Sequence, residues 1–378
     1  MPRRSFPFGA AFLLVLSACG DSDPAEPAST AAPAASVSAL AEVCPARIVV
    51  QTDWFPQAEH GGVYELLGDD ASTNKDTGAT TGSLTVRGEP TGLELEIRAG
   101  GPFLQSPVVT EMYSDDEITF GYVGSDVAVS RFADAPTVAV FNALNVNPQV
   151  LLWNADLHGA DSPLEQVASE VDAIYVFGEP SWIRFLQGEG VIDPAKVDSG
   201  YQGNPLLATE DVIHQGFVTS EPYTYANLAS GAIATGHVLI HDLGWTNYPQ
   251  NLAVRADRLE PLRPCLERLV PVLQQAQLDY IAEPDRTNAR IVAAVEALDS
   301  WWSQTAASTA DSVNQQVELG IIGNGGTPTF GDLEPERLDG FIRILLPILR
   351  EQGIDAPDVG AADISTNEFL DPAITWAG

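Results

Sequence analysis

The chain contains 378 residues, of which 52 are acidic and 18 are basic, and its formal net charge is −34. An acidic surface repels the phosphates of nucleic acids and the head groups of acidic lipids, so the charge excludes both as partners. A simpler explanation for the excess of acidic residues is that they keep the protein soluble outside the cell.

The first segment of the chain, MPRRSFPFGAAFLLVLSAC, combines arginines with an apolar run and predicts an export signal. The run is too short for a membrane-spanning helix. Its end, Leu-Ser-Ala-Cys, resembles the lipobox of bacterial lipoproteins, in which the cysteine thiol is acylated. The resemblance implies that residues 1–18 are a lipoprotein signal peptide and that Cys19 is the lipid anchor. The alternative is a plain secretory signal, in which Cys19 is an ordinary thiol.

Residues 19–43 are rich in Ala, Pro, Ser and acid, with almost nothing bulky to bury, and predict a flexible tether. The folded body then starts near Cys44. It contains about 335 residues, more than one core usually serves, which predicts two lobes with a cleft between them. Once Cys19 is assigned to lipid, Cys44 and Cys265 remain as a possible disulfide in an oxidising compartment.

The body alternates strand-like runs with helical patterns. The predicted strands lie in ARIVVQTDW, LELEIRAGG, EITFGYVG, PTVAVFNAL, DAIYVFG, QGFVTSEPY and GHVLIHDLG, and each ends in Gly, Asp or a polar cluster. This order predicts an α/β fold with mixed, mostly parallel sheets, flanking helices and ligand sites at the carboxyl ends of strands. Apolar residues spaced by three and four predict long helices over 259–282, 289–308 and 339–352.

The common catalytic motifs are absent from the sequence: it has no GxSxG, HExxH, CxxC or Gly-rich phosphate loop. We therefore expect neither an enzyme nor a cofactor. His237 and His241 are four residues apart, but no nearby Cys or Glu completes a zinc site, so we expect no metal. Trp301 and Trp302 fall inside a predicted helix, where one ring would be in the core and the other on the surface, with no site implied.

Polar and aromatic residues cluster where strands end, and the first cluster is TDWFPQAEHGG, residues 52–62. Asp53 and Trp54 directly follow a predicted strand, and Gly61-Gly62 precede a predicted helix. A Trp face beside acids suits a flat, nitrogen-rich ligand. The alternative is that Trp54 and Phe55 merely close the core beneath the loop.

Later strand ends carry further candidates, each of which also has a purely structural reading as a helix cap, a turn residue or a core residue. The candidate ligand-binding residues are Asp53, Trp54, Glu59, His60, Tyr64, Ser125, Asp126, Gly178, Glu179, Glu221, Tyr223, Asp242 and Trp245.

TDWFPQAEHGGVYE closely resembles the start of exported solute-binding proteins of ABC importers in the nitrate, taurine and thiamine-precursor group. The segments GGPFLQSPVV, FGYVGSDVAVSRF, YVFGEPSWIRFLQ, QGFVTSEPYTY and STNEFLDPAI follow in the order of that family. The resemblance implies a two-lobed periplasmic-binding-protein-like fold of type II. Residues 44–140 plus 236–378 would form lobe 1, and residues 141–235 would form lobe 2.

The resemblance also implies roles for single residues. In the thiamine-precursor branch a Trp stacks on an aminopyrimidine and the Glu of Asn-Glu-Pro binds its amino group, which corresponds here to Trp54 and to Glu221 of Ser220-Glu221-Pro222. Ser220 departs from that pattern. His60 matches the family's His. The candidate positions include no Lys or Arg, which favours a neutral or cationic heterocycle over an anion, although Arg98 and Arg184 could reverse that preference.

The function that the resemblance implies is capture of a small solute by closure of two lobes. The protein would be an extracytoplasmic monomer, held at the cell membrane through its lipid alone, with an ABC permease and its ATPase as partners. The alternatives are a sulfonate, nitrate or other small-solute binding protein, a surface sensor without a transport role, and a thiamine-pyrimidine synthase. The synthase would need a pyridoxal-phosphate lysine and a Cys-rich segment, but the chain has only Lys75 and Lys196 and no such segment.

Overall fold

A computed structural model describes residues 40–378, and within them twelve strands form two mixed sheets. The predicted signal peptide, Cys19 and most of the predicted tether lie outside the described residues. The last four tether residues are an exception, because Leu40–Val43 form a helix, α1, with Leu40 buried in the core. The folded body therefore includes Leu40–Val43, which the sequence pattern assigns to the tether.

The larger sheet has seven strands in the order β2-β3-β4-β1-β5-β12-β6, and the smaller sheet has five in the order β11-β7-β10-β8-β9. The strands of the larger sheet are β1 Arg47–Gln51, β2 Ser72–Asn74, β3 Ala79–Val86, β4 Glu89–Arg98, β5 Phe120–Val123, β6 Thr137–Asn142 and β12 Asn251–Arg255. The strands of the smaller sheet are β7 Gln149–Asn154, β8 Ile174–Tyr175, β9 Val197–Asp198, β10 Ile213–Phe217 and β11 Thr235–Leu239.

Parallel pairing involves three central strands of the larger sheet and the three strands at one edge of the smaller sheet. β1 runs parallel to β4 and β5, and β8 runs parallel to β9 and β10, whereas the other neighbours are antiparallel. One cause is the tight hairpin between β3 and β4, in which Arg87 and Gly88 both have positive φ (51° and 81°). The predicted α/β fold class with mixed sheets and flanking helices is confirmed, but the parallel strand pairs are four of ten and not the predicted majority.

Two crossing segments, residues 143–148 and 240–250, connect the sheets. The predicted lobe boundaries at 140 and 236 fall inside β6 and β11 rather than in these segments. Asn147 Nδ2 donates to Asn247 Oδ1 at 2.8 Å, which joins one crossing segment to the other. Arg337 also holds both segments, since its guanidinium donates to Asn145 Oδ1 at 3.0 Å and to the Thr246 carbonyl at 2.9 Å.

Helices flank both sheets. After α1 they are α2 Gly61–Glu65, α3 Val108–Ser114, α4 Ser125–Ser130, α5 Ala155–His158, α6 Leu164–Glu170, α7 Ser181–Gly188, α8 Glu221–Ala226, α9 Leu259–Ala282, α10 Asp285–Leu298, α11 Ala306–Glu318, α12 Pro335–Glu351 and α13 Ala361–Ile364. None of these helices combines the length and the apolar character that crossing a membrane requires.

The helix predicted over 289–308 is two helices with a loop between them. α10 ends at Leu298 because Asp299 adopts a left-handed conformation (φ 49°), and Lys75 binds its carboxylate at 2.5 Å. α11 begins with a capping box, in which Thr305 Oγ1 accepts from the Ser308 N–H at 3.0 Å. Trp301 and Trp302 therefore lie in a loop, and the prediction that they are helical was wrong.

Strand β1 and helix α9 form the centre of the core. Four of the five β1 residues are buried, and β-branched Ile48, Val49 and Val50 suit this central position. α9 packs against α2 through a buried face with helical spacing. A disulfide between Cys44 and Cys265, with Cα atoms 4.6 Å apart, connects the start of β1 to α9.

Candidate functional site

A cavity of about 270 Å³ lies between the two sheets. The loop after β1 and the residue before β12 contribute from the larger sheet. The smaller sheet contributes β7, β10, the turn after β10 and the segments that follow β8 and β9. The loop between α10 and α11 closes a further side. The lining residues are Asp53, Trp54, Gln57, Glu59, Gln149, Phe177, Gly203, Gln215, Gly216, Phe217, Thr219, Ser220, Glu221, Gln250, Trp301, Trp302, Gln304 and Ser312.

The carboxylate of Asp53 is held in place from two directions. His60 Nε2 donates to Asp53 Oδ1 at 2.9 Å, and Gln250 Nε2 donates to both oxygens at 3.1 and 3.0 Å. His60 is fully buried and packs against the Tyr122 ring, so it does not line the cavity. His60 is therefore a positioning residue for Asp53 rather than a group that faces a ligand.

Aromatic rings form one wall of the cavity. Trp54 packs edge-to-face against Phe177, Trp301 and Trp302, with ring centroids 6.2, 6.3 and 6.0 Å away. Phe55 is buried behind this wall and stacks on Trp302 at 5.8 Å. The sequence implied no site at Trp301 and Trp302, but both rings line the cavity.

Two further carboxylates face the cavity from opposite sheets. Glu59 is only 4% exposed and accepts a hydrogen bond from Thr219 Oγ1, which joins the loop after β1 to the turn after β10. Glu221, at the first position of α8, accepts from the Phe217 N–H at 2.6 Å. A Cβ atom at Gly216 would lie 2.9 Å from Glu221 Cγ and Cδ. Glycine at this position of β10 therefore leaves room for the Glu221 side chain.

The two glutamates have perturbed acidities. Burial, with a smaller contribution from the nearby Glu59 carboxylate, raises the pKa of Glu221 to about 7, against the opposing hydrogen bond from Phe217. Burial also raises the pKa of Glu59, against the hydrogen bond from Thr219. A positive charge placed between them would therefore be stabilised by both groups.

The lining contains no Lys, Arg or His among the described residues. Arg184 pairs with Glu179 at 3.2 Å on the exposed face of α7, and Arg98 binds Glu96 at 2.6 Å. Neither arginine lines the cavity, so neither offers a positive charge to an anion bound there.

Several predicted site residues lie in the core or at the crossing segments instead. Tyr64 and Trp245 are each 1% exposed and pack in the core, away from the cavity. Ser125 Oγ accepts from the Tyr248 N–H at 3.1 Å, and Asp126 accepts from Asn247 Nδ2 at 3.1 Å. Since these partners belong to the second crossing segment, Ser125 and Asp126 fasten that segment rather than line the cavity.

Other predicted residues lie close to the cavity in sequence but outside its lining. Gly178 and Glu179 follow the strand end, yet their neighbour Phe177 is the residue that lines the cavity. Tyr223 is partly buried and Asp242 is exposed, and neither contributes to the lining. His241 lies beyond the end of β11, and residues 40–378 contain no group of three metal-ligating side chains.

Sequence reasoning missed mainly amides and hydroxyls. Gln57, Gln149, Gln215, Gln250 and Gln304 all line the cavity, together with Thr219 and Ser312. The one signal that could have found part of this set is the Thr305–Ser308 capping box, which marks a helix start and so places the preceding Trp pair in a loop.

The chain is similar in structure to binding proteins of import systems. The ligand-binding component of an ABC-type import system from Staphylococcus aureus, solved with zinc bound, superposes with a TM-score of 0.51 at 11% identity, over 85% of this chain and 97% of that one. The periplasmic aliphatic sulphonate-binding protein SsuA from Escherichia coli gives 0.51 at 13% identity, over 85% and 92%. The chain has the periplasmic-binding-protein fold.

A third structure of this fold is the periplasmic nitrate-binding protein NrtA from Synechocystis PCC 6803, with a TM-score of 0.50 at 13% identity, over 86% of this chain and 87% of that one. The sequence itself matches no family model and no curated protein. At these identities the similarity shows a shared periplasmic-binding-protein fold, and the chemistry of the cavity has to be argued from this chain's own residues.

Proposed function

We propose that the protein is the lipid-anchored solute-binding component of an ABC importer and captures a small nitrogen-heterocyclic solute, such as a thiamine pyrimidine precursor. Lobe 1 would comprise residues 40–142 and 251–378, and lobe 2 residues 149–239, in line with the two sheets. Cys19 would hold the protein at the cell membrane as a monomer. A membrane permease and its ATPase would receive the solute.

The observation that carries this proposal is a cavity lined from both sheets. A solute bound there contacts Glu59 on one side and Glu221 on the other, so the closed arrangement gains contacts that an open one lacks. A ligand with this preference shifts the population toward the closed form, which a permease can distinguish by shape.

The lining supports a flat, neutral or cationic solute. Aromatic faces contribute roughly 1–3 kcal/mol per stacked base-like ring, and Trp54 offers such a face. Neighbouring structures of this fold bind sulphonate and nitrate by name, but an anion here would meet Glu59 and Glu221 with no basic residue in the lining. We therefore place the anions second.

The arrangement of the lysines argues against the synthase alternative. Lys196 Nζ donates to the carbonyls of Ala168, Ser169 and Val171 at 2.8–2.9 Å, and Lys75 pairs with Asp299. Neither lysine lines the cavity, so neither could hold an aldehyde cofactor against a ligand there.

A thermal-shift screen of the purified protein tests the proposal, with pyrimidines, flavins, polyamines, taurine and nitrate as candidates. Specific binding raises the melting temperature by mass action, and we expect the rise with ring compounds. Small-angle scattering should then show a smaller radius of gyration with the binding compound. A rise with taurine or nitrate alone would contradict the heterocyclic solute, and binding without compaction would contradict capture by closure.

A further inference from the structure

The cavity holds hydrogen-bond acceptors that no residue of the described chain satisfies. Ser312 is 5% exposed and Gln250 is 3% exposed, and Ser312 Oγ and Gln250 Oε1 both lack a partner. Gln250 cannot turn its amide around without loss, because its Nε2 already donates to Asp53. Buried polar atoms without partners are costly. Gln250 Oε1 can only accept a hydrogen bond and Ser312 Oγ can accept or donate, so N–H donors of a ligand would satisfy both atoms.

The glutamates extend this set of acceptors. Oε1 of Glu59 and Oε2 of Glu221 are engaged by Thr219 and Phe217, while the second oxygen of each carboxylate receives no hydrogen bond from another described residue. Asp53 differs, since His60 and Gln250 already satisfy it. The acceptors of the cavity that lack a partner would therefore be satisfied by a ligand with N–H donors and a positive charge near Glu59 and Glu221.

The walls limit the shape of such a ligand. A volume of about 270 Å³ is below the roughly 300–1,000 Å³ of sites for drug-sized ligands, which leaves room for a single ring with a short substituent. The rings of Trp54, Phe177, Trp301 and Trp302 form a wall that favours a flat body. A fork of parallel N–H groups matches carboxylates better than a point charge does.

We propose that the cavity binds a planar organic cation of the amidinium or guanidinium type, with its N–H fork on Glu59 and Glu221 and its flat body against Trp54. Further N–H groups of the cation would donate to Ser312 Oγ and Gln250 Oε1. This inference rests on the proposed capture of a solute in this cavity, and it specifies the charge and the hydrogen-bonding polarity of that solute.

Four one-ring probes separate the contributions of charge, donors and ring when titrated calorimetrically into the full-length protein. Benzamidine carries the charged fork, benzamide is its neutral counterpart, benzyltrimethylammonium has charge without N–H donors, and benzoate is an anion. We expect benzamidine to bind at least about tenfold more tightly than each of the others, since an ionic hydrogen bond contributes about 1.5–3 kcal/mol. Equal or tighter binding of any of the other three, or no binding of benzamidine, overturns the inference.

Substitutions test which carboxylates bind the N–H groups of the cation. Glu59→Gln and Glu221→Gln should each weaken benzamidine binding by about tenfold or more, and Ser312→Ala by a few-fold. Glu179→Gln is the matched control, because Glu179 is exposed and outside the lining, and it should leave binding unchanged. Circular dichroism confirms folding of each variant, and the probe series on the unmodified protein remains decisive if a variant does not fold.

The two proposals fail in different ways. A neutral pyrimidine that binds and compacts the protein while benzamidine does not bind overturns the cationic fork and leaves solute capture standing. Benzamidine binding that is lost in Glu221→Gln but produces no compaction supports the fork and contradicts capture by closure.

Discussion

The two sides of the cavity hold their carboxylates differently. On the side of the larger sheet, Asp53 receives hydrogen bonds from His60 and Gln250 and is satisfied before any ligand arrives. On the side of the smaller sheet, Glu221 has a single backbone donor and a pKa raised to about 7 by burial. Asp53 is therefore preorganised, whereas burial destabilises the ionised form of Glu221, a cost that a cationic ligand can remove. Glu59, on the same side as Asp53, resembles Glu221 in this respect, because burial raises its pKa as well.

The largest expected effect is on the free energy of unfolding, because burial of Glu221 makes its ionisation unfavourable in the folded state. Because the folded-state pKa of Glu221 is raised from 4.5 to about 7, its ionisation destabilises the fold increasingly as the pH rises through this window, with the full cost above about pH 7. Glu221→Gln should therefore be more stable than the parent at about pH 8, by at most about 3 kcal/mol, and equal to it near pH 4. Urea unfolding at both pH values measures this difference, and one that does not change with pH would contradict the assignment.

The second largest effect is expected from removing the ring of Trp54, which lies next to Asp53 in the loop after β1. Trp54→Ala should weaken binding of a ring ligand by about 1–3 kcal/mol, roughly fivefold to 150-fold, because stacking is lost. Phe177→Ala on the other side should cost less, since that ring is 38% exposed at the mouth of the cavity. Calorimetry of both variants ranks the two sides, and the reverse order would show that the smaller sheet supplies the main stacking surface.

A third expectation concerns binding of a cation as the pH changes. Glu221 pairs with the cation only when its carboxyl group is ionised, and its pKa is about 7. The affinity for the cation should therefore rise about tenfold between about pH 6 and pH 8. The groups facing Glu221 are Glu59, Tyr201 and Tyr225, and both tyrosines have pKa values raised by burial, so neither tyrosine ionises in this range. Affinity independent of pH in the parent, measured with benzamidine, would show that Glu221 does not meet the charge.

The smallest effect should come from the contact that joins the two sides. Thr219→Val keeps the shape of the side chain but removes the hydrogen bond to Glu59, which costs about 0.5–1.5 kcal/mol of binding, or a few-fold in affinity. Thr224→Val is a suitable control, because Thr224 Oγ1 binds only the Ser220 carbonyl on the exposed face of α8. If both variants bind alike, the Thr219–Glu59 contact contributes nothing to closure.

Local sequence was enough to find the side of the cavity that the larger sheet forms. Asp53, Trp54 and Glu59 lie within nine residues of β1, so a correct strand end placed them at the cavity. Glu221 came from the family resemblance and also lines the cavity. The α/β class of the fold followed from the alternation of strands and helices, although the majority of antiparallel strand pairs did not.

Contacts between distant segments explain the rest. Asp126 and Asn247 are far apart in the chain, and no local pattern shows that the second crossing segment covers Ser125 and Asp126. Apolar spacing continued across Asp299, so the helical pattern concealed the loop that presents Trp301 and Trp302. Ser312 is a buried polar residue on one face of α11, a position that becomes meaningful only when the opposite walls are known.

The disulfide determines how tension on the chain would be distributed. Cys44 lies three residues before β1 and is bonded to Cys265 within the 24-residue helix α9. A pull applied ahead of Leu40, such as an anchored amino terminus would exert, passes through this covalent bond into α9. The tension is then shared between α9 and the backbone that continues into β1. The strand whose far end presents Asp53 and Trp54 therefore does not carry the whole load alone.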